Sequence, residues 1–296
     1  MTEEVKKRLL YLAESYETAD FINGDPSCIL HRYSDKKDTE IAAFIAAMLS
    51  FGRRDLFLPK IEGLLDTADH YGGPYQWIKT RKYRQTLCSG VHMGVSDSNE
   101  LCIDVDEDSG KNICSDIQKD FSEEVLLQKK FYRFYSYKDL IDLLDAFFYM
   151  LKSYHSFGDF MKRQYTFFFE TAQGEPNKPK SIILEDIIGE TFSSCKIVPK
   201  GKNSANKRVH MFLRWMVRQN SPVDIGLWNW FDARNLLIPL DTHVLQESCR
   251  LGILDKKICA SKKTAQKITD CLKEIWPEDP CRGDFALFGL GVDKNP

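Results

Sequence analysis

The chain has 296 residues, a formal net charge of −2 at pH 7 and a pI near 6.3, with 43% hydrophobic and 28% charged residues. These values belong to a soluble globular protein, exclude a disordered or collagen-like chain, and allow one large domain or two lobes. Slight overall acidity means that any nucleic-acid binding must rest on a local basic patch. The charged start MTEEVKKRLL is not a secretory signal. The longest apolar run, nine residues from Ile41 to Leu49, is too short to span a membrane, so a cytoplasmic protein is expected. Nine cysteines with no CxxC pair read as reduced structural thiols and carry no zinc or iron–sulfur spacing.

In chain order, residues 3–18 place apolar side chains at 5, 9, 10, 12 and 13, the spacing of an amphipathic helix. Asp25-Pro26 opens a short helical turn that runs to His31. Residues 36–50 begin charged and become IAAFIAAML, apolar around the circumference, which predicts a buried central helix. Phe51-Gly52 breaks it, and a further helix follows Arg53, with Pro59 near its regular start or at a kink. Gly72-Gly73-Pro74 predicts a turn before a short helix around Tyr75–Lys79. Between Asp97 and Glu124 stand ten acids and two lysines with little periodicity, so residues 89–125 read as a solvated acidic insertion. Its acids lack the alternating ligands, central glycine and terminal glutamate of a calcium loop. Ser136 caps a helix to Tyr154 with a stripe at Leu140, Leu143, Leu144, Phe147, Met150 and Leu151. Helices are expected at 157–171 and 180–192, with a loop at 174–179 between them. No alternating strand pattern of convincing length is present, so the expected fold class is all-α.

From Thr191 to Val223 there is no acid but seven bases. On a helix beginning near residue 206, Lys207, His210, Arg214 and Arg218 fall within about 80° of one another, and Val209, Phe212, Leu213 and Met216 fall opposite. One side would pack while the other offers positive charge, either as a solvated face or as an anion site. The turn at 200–206, with Lys200 and Lys202, would add backbone N–H groups for phosphate. Trp228, Trp230 and Phe231 follow, dense enough to stack on a base or to join two lobes by packing. Asp241 is a competent N-cap for a helix carrying Val244, Ser248 and Leu251, with Gly252 at its end. The tail offers a helix near 263–275 and a short apolar element, DFALFGLG, at 284–291.

Three of these segments, in this order, resemble the helix-hairpin-helix (HhH-GPD) DNA glycosylases of the endonuclease III and archaeal 8-oxoguanine glycosylase kind. FIAAMLSFGRRDLFLPKIEGLL (44–65) is similar to the family's early helix pair. ANKRVHMFLRW (205–215) is similar to the helix whose first turn holds the catalytic lysine, and PLDTHVLQESCRLGI to the run that carries the catalytic aspartate. The chain also resembles an uncharacterised bacterial family related to these enzymes, through KRVHMFLRWMVR, VDIGLW and IPLDTHV. It departs from the glycosylase pattern where GKNSAN stands in place of the hairpin G-x-G, and the cluster cysteines are missing.

The resemblance implies two helical lobes with a cleft between them: residues 38–222 as one, and 1–37 with 223–296 as the other. It implies an N-glycosylase/AP lyase acting as a monomer on duplex DNA with a damaged or abasic site, without cofactor or metal. Asp241 would stabilise positive charge at C1′, and Lys207 would attack that carbon as a neutral amine. Lys200, Lys202, Arg208, His210, Arg214, Arg218, Arg53 and Arg54 would contact DNA. Trp228, Trp230 and His243 would line or orient the base pocket. Two other readings compete: a non-catalytic nucleic-acid-binding protein on the same scaffold, and, more distantly, a metal-dependent hydrolase using Asp241 and His243.

Overall fold

The computed structural model describes residues 1–88, 125, 127–171, 180–255 and 258–292. Of the expected insertion at 89–125 only Val125 falls among them, and the expected loop at 174–179 lies outside them. The described helices are α1 (Glu3–Tyr16), α2 (Lys36–Leu49), α3 (Arg54–Asp69), α4 (Pro74–Lys79), α5 (Lys82–Cys88) and α6 (Tyr137–Ser153). After them come α7 (Phe157–Thr171), α8 (Lys180–Thr191), α9 (Lys207–Val217), α10 (Thr242–Arg250), α11 (Lys262–Leu272) and α12 (Gly283–Val292).

Asp35 begins the central helix by accepting from the Lys37 backbone N–H at 2.7 Å, which satisfies a donor that the first turn leaves free. Every residue of α2 from Thr39 to Leu49 is then buried. The alanines let neighbours approach closely: α3, α4, α7, α9 and the 3-10 turn Pro26–His31 all pack on this one helix. Ser136 starts α6 with a reciprocal capping box, accepting from the Asp139 N–H while the Asp139 carboxylate accepts from its own. Pro59 lies inside α3 without ending it.

One departure from the all-helical expectation is a two-stranded antiparallel hairpin, β1 (Lys130–Tyr132) and β2 (Tyr135–Ser136). Strands of three and two residues give no periodicity to read. The hairpin is tied to the core from outside, by the Tyr132 hydroxyl donating to the Phe51 carbonyl at 2.6 Å. Helix α5 is likewise unannounced by the sequence pattern.

Buried apolar residues form two clusters. The larger spans α2, α3, α6 and α9 and includes Ile29, Leu30, Trp228, Phe231 and Leu236. The smaller joins Leu9, Leu12 and Ala13 of α1 to residues of α10, α11 and α12. Trp228, Phe231 and Leu236 pack with the larger cluster, and Leu237, Ile238 and Leu240 with the smaller. Helix α12 lies against both α1 and α10. A side chain on Gly289 would overlap the Tyr16 ring, so the absence of a Cβ sets the approach of α12 to α1. No described helix is long and apolar enough to cross a membrane.

Candidate active site

Helix α9 starts without a side-chain cap. Asn206, at φ 40°, takes the left-handed conformation. Its side-chain amide donates to the Glu185 carboxylate and to the Gly201 carbonyl, the latter at 2.9 Å. Those bonds hold the turn and fix where the first helical residue, Lys207, points. From the other cluster, Asp241 caps α10: its Oδ1 accepts from the Val244 N–H at 2.9 Å. Its Oδ2 accepts from Lys207 Nζ at 2.8 Å. Capping uses one carboxylate oxygen and leaves the other for the lysine, so the two roles that the sequence offered for Asp241 coexist.

The pair sits in a cavity of about 820 Å³. Phe57, Met211 and Trp215 reach it from the larger cluster, and Ala205 and Leu240 from the smaller. Phe288 of α12 lies beneath the cations, with its ring 5.3 Å from Lys207 Nζ and 5.5 Å from the Arg54 guanidinium. The charged lining is Lys207, Arg54, Arg208 and Arg214 with Asp25, Asp241 and Asp284. Burial pushes the Asp241 carboxyl up, but the Lys207 charge, its hydrogen bond and the Val244 N–H outweigh it and leave the group below its ordinary value. Among the described residues no group of three or more His, Cys, Asp or Glu side chains is placed to hold a metal, so Asp241 and His243 gain no third ligand there.

Asp284 is the second unusual carboxylate of the cavity. One oxygen pairs with Arg214, and Oδ1 has no hydrogen-bond partner. Burial raises it from 3.8 to about 6 against the pull of Arg214. A carboxyl whose pKa rises on folding stabilises the fold fully below its unfolded value and loses that contribution as pH climbs through the folded one. Wild-type protein should lose about 3 kcal/mol from this group between about pH 4 and pH 7. Asp284→Asn should lack that loss, so urea unfolding at the two pH values should show the variant gaining on wild type by that amount. A pH-independent difference would mean that Asp284 is not a buried titrating group.

The structure separates the expected DNA contacts into two sets. Arg214 and Arg218 are 5% and 2% exposed and are held inside by carboxylates. Arg214 meets Asp224 and Asp284, and Arg218 meets Asp224, Asp279 and Glu17. His210 is fully buried, with Nε2 3.3 Å from Glu185 Oε2, and Glu185 also meets Lys262 at 2.9 Å. These three side chains are therefore buried against acids, Asp224 close in sequence and Glu17, Glu185, Asp279 and Asp284 far from it, rather than spread on a basic surface. Lys200 is exposed, with its ammonium turned back to the carbonyls of Phe192 and Cys195. Lys202 and Arg53 are exposed, Arg53 paired with Asp55, and Arg54 and Arg208 line the cavity.

Trp228 and Trp230 are not in the cavity lining. Trp228 is 1% exposed, donates to Glu40 Oε1 at 3.0 Å and packs against Phe157, Phe212 and Trp230, so it is core. His243 does line the cavity, edge-on to Phe288. The residues that sequence reasoning missed are Phe288, Asp284 and Phe51, all cavity-lining. The first two stand in DFALFGLG, where a carboxylate in an otherwise apolar element was the available signal.

A family model described as "Protein of unknown function (DUF2400)" matches residues 25–95 and 93–293. Searches of curated proteins and of solved structures gave no match. The matched segments take in the central helix, the lysine helix, the aspartate cap and α12, and the chain thus belongs to the DUF2400 family.

Proposed function

We propose that the protein is a DNA N-glycosylase with lyase chemistry, acting on a nucleotide turned out of a duplex into the cavity between the two clusters. The observation that carries this reading is the Lys207–Asp241 contact at 2.8 Å inside the cavity, with the lysine on α9 and the carboxylate at the start of α10. The likeness of three ordered segments to helix-hairpin-helix glycosylases gives the pair its chemistry.

In that chemistry the base is held out of the stack and the C1′–N bond lengthens. Positive charge grows on the sugar, and the Asp241 carboxylate stabilises it. Lys207 must first part from Asp241 and lose a proton. Its nitrogen then bonds C1′, the base leaves with the bonding pair and takes up a proton, and opening of the sugar ring gives an iminium at C1′. The electron-poor iminium acidifies the C2′–H bond; loss of that proton forms a double bond to C3′ and expels the C3′ phosphate with its bonding pair, which is the lyase step. Borohydride reduces the same C=N bond to a stable amine, so a covalent protein–DNA adduct is the direct test.

The competing reading is a nucleic-acid-binding protein without catalysis. It is favoured by the pairing itself, since an ion-paired ammonium is not a nucleophile until the pair opens. The two readings differ in the adduct: the binding module forms none on any lesion or abasic DNA.

A further inference from the structure

Glu185 of α8 is a carboxylate only 5% exposed, and donors from two other segments close on it. The Asn206 amide donates to its Oε1. Lys262, the first residue of α11, brings its Nζ to 2.9 Å from Oε2. His210 Nε2 lies 3.3 Å from the same oxygen. Oε2 has no aligned hydrogen bond, so Lys262 holds it by charge. Lys262 also gives its backbone N–H, a donor that the first turn of α11 leaves free, to the Asn203 carbonyl at 3.0 Å. The start of α11 therefore grips the turn before Lys207 twice, through the main chain and through Glu185. Further along the same helix, buried Thr269 accepts from the Ile238 N–H at 3.1 Å. Asn206 immediately precedes Lys207, and Ile238 stands three residues before Asp241. The two anchors are about 10 Å apart on one helix, so α11 spans from the arm that carries Lys207 to the arm that carries Asp241.

Burying a carboxylate and an ammonium is a poor route to stability, because desolvation consumes much of the attraction and an apolar pair of like volume does as well or better. What the pair supplies is a fixed geometry. Here the geometry belongs to Asn206, at a left-handed φ of 40° that asparagine accepts when its side chain is bonded locally. Glu185 and the Gly201 carbonyl hold that side chain, so the direction of Lys207 depends on them. A glycine would take the conformation unaided but would leave the turn with no side chain to grip.

We propose that Glu185 is a positioning residue: with Asn206 and Lys262 it forms a brace that sets Lys207 against Asp241. This rests on the reading of those two side chains as the working pair, and not on the reaction they carry out. Cutting the tie between Glu185 and Lys262 frees the turn to shift against α11, and Lys207 loses its place on Asp241.

The test is trace acetylation of the full chain by acetic anhydride, with the labelled peptides measured by mass spectrometry. The readout is the labelling rate of Lys207 relative to that of Lys82, an exposed lysine on α5. An ion-paired ammonium is not acylated until its pair opens. Asp241→Asn should raise the ratio about fivefold, the factor for an ion pair of modest exposure. Glu185→Gln and Lys262→Met should raise it by a similar factor, and Lys262→Arg, which keeps the charge, should restore the wild-type value. Each protein is labelled well below its melting temperature, where a side chain that only stabilises the fold leaves the ratio alone. The Lys262 side chain is 16% exposed, so Lys262→Met carries the test if Glu185→Gln does not fold. On abasic duplex DNA the same two variants should lose about tenfold or more in the rate of borohydride trapping, with Kd unchanged. A ratio unmoved by Glu185→Gln and Lys262→Met, or by Asp241→Asn, overturns the brace. So does a Lys262→Arg protein that behaves as Lys262→Met does, or a loss of trapping that lies in Kd alone. If wild type traps nothing, the lyase reading falls and the acetylation ratio still decides the brace.

Discussion

Lys207→Gln should give no borohydride-trapped adduct on abasic or lesion-bearing duplexes, and Asp241→Asn should still fold while losing most of its rate. The two substitutions separate roles that one geometry combines. Asparagine keeps an oxygen in the position from which Asp241 accepts the Val244 N–H at 2.9 Å, and it is as good an N-cap as aspartate. The Lys207 side chain is 34% exposed, so losing the charge of its partner should lower stability by about 1 kcal/mol. The rate should fall on the order of 10²–10³-fold, the usual penalty for removing one preorganised charge-stabilising group. A pure cap would show neither the rate loss nor any change in adduct yield. Lys207→Gln keeps a polar side chain and removes the amine that would form the iminium. If that variant still traps, a different amine is the nucleophile. If wild type releases no base and traps nothing across a broad panel of lesions, the protein binds without catalysis.

Arg218→Leu should destabilise the fold by about 3–5 kcal/mol at neutral pH, the range for removing one partner of a buried ion network. Arg218 Nε lies 2.8 Å from Asp279 Oδ1, and its two terminal nitrogens reach Asp224 Oδ2 at 2.5 Å and Glu17 Oε1 at 2.7 Å. Without the guanidinium, three carboxylates keep only Arg214 and Arg282 nearby. Urea unfolding at about pH 7 measures the effect. A surface arginine that contacts phosphate would behave in the opposite way, with unchanged stability and weakened DNA binding. A stable Arg218→Leu protein would therefore restore Arg218 to the DNA-contact set.

The contrast between these two residues marks what the sequence could and could not convey. Asp241 was legible because a cap is a local event: the acceptor and the N–H it meets are three residues apart. The buried central helix was legible for a similar reason, since IAAFIAAML offers no polar side on any rotation. The face of α9 was legible as geometry but not as environment. A helical wheel says that Lys207, His210, Arg214 and Arg218 lie together, but not that Glu17, Asp224, Asp279 and Asp284 meet two of them. Glu17 lies 201 residues from Arg218, beyond any local pattern. The density of tryptophans before Asp241 pointed to a base wall, whereas Glu40 on α2 draws the Trp228 indole into the core. The cavity walls that replace them, Phe51 and Phe288, sit in short segments whose apolar character reads equally well as packing.

Helix α12 draws these features into one consequence about time. It packs on α1, carries Asp284 and brings Phe288 under Lys207. On the ribosome α1 emerges first and α12 near the last of the described chain, so at ordinary elongation rates the interval is on the order of tens of seconds. Throughout that interval Leu9, Leu12 and Ala13 have no α12 to cover them, and the cavity has no floor. Helices α3, α4, α7 and α9 can gather on the central helix earlier, because all of them precede residue 218. A nascent chain can therefore own its lysine helix and its central core while the cavity still stands open on one side. A product that stops before α12 would lack Asp284 and Phe288, and its cavity would stay open on that side.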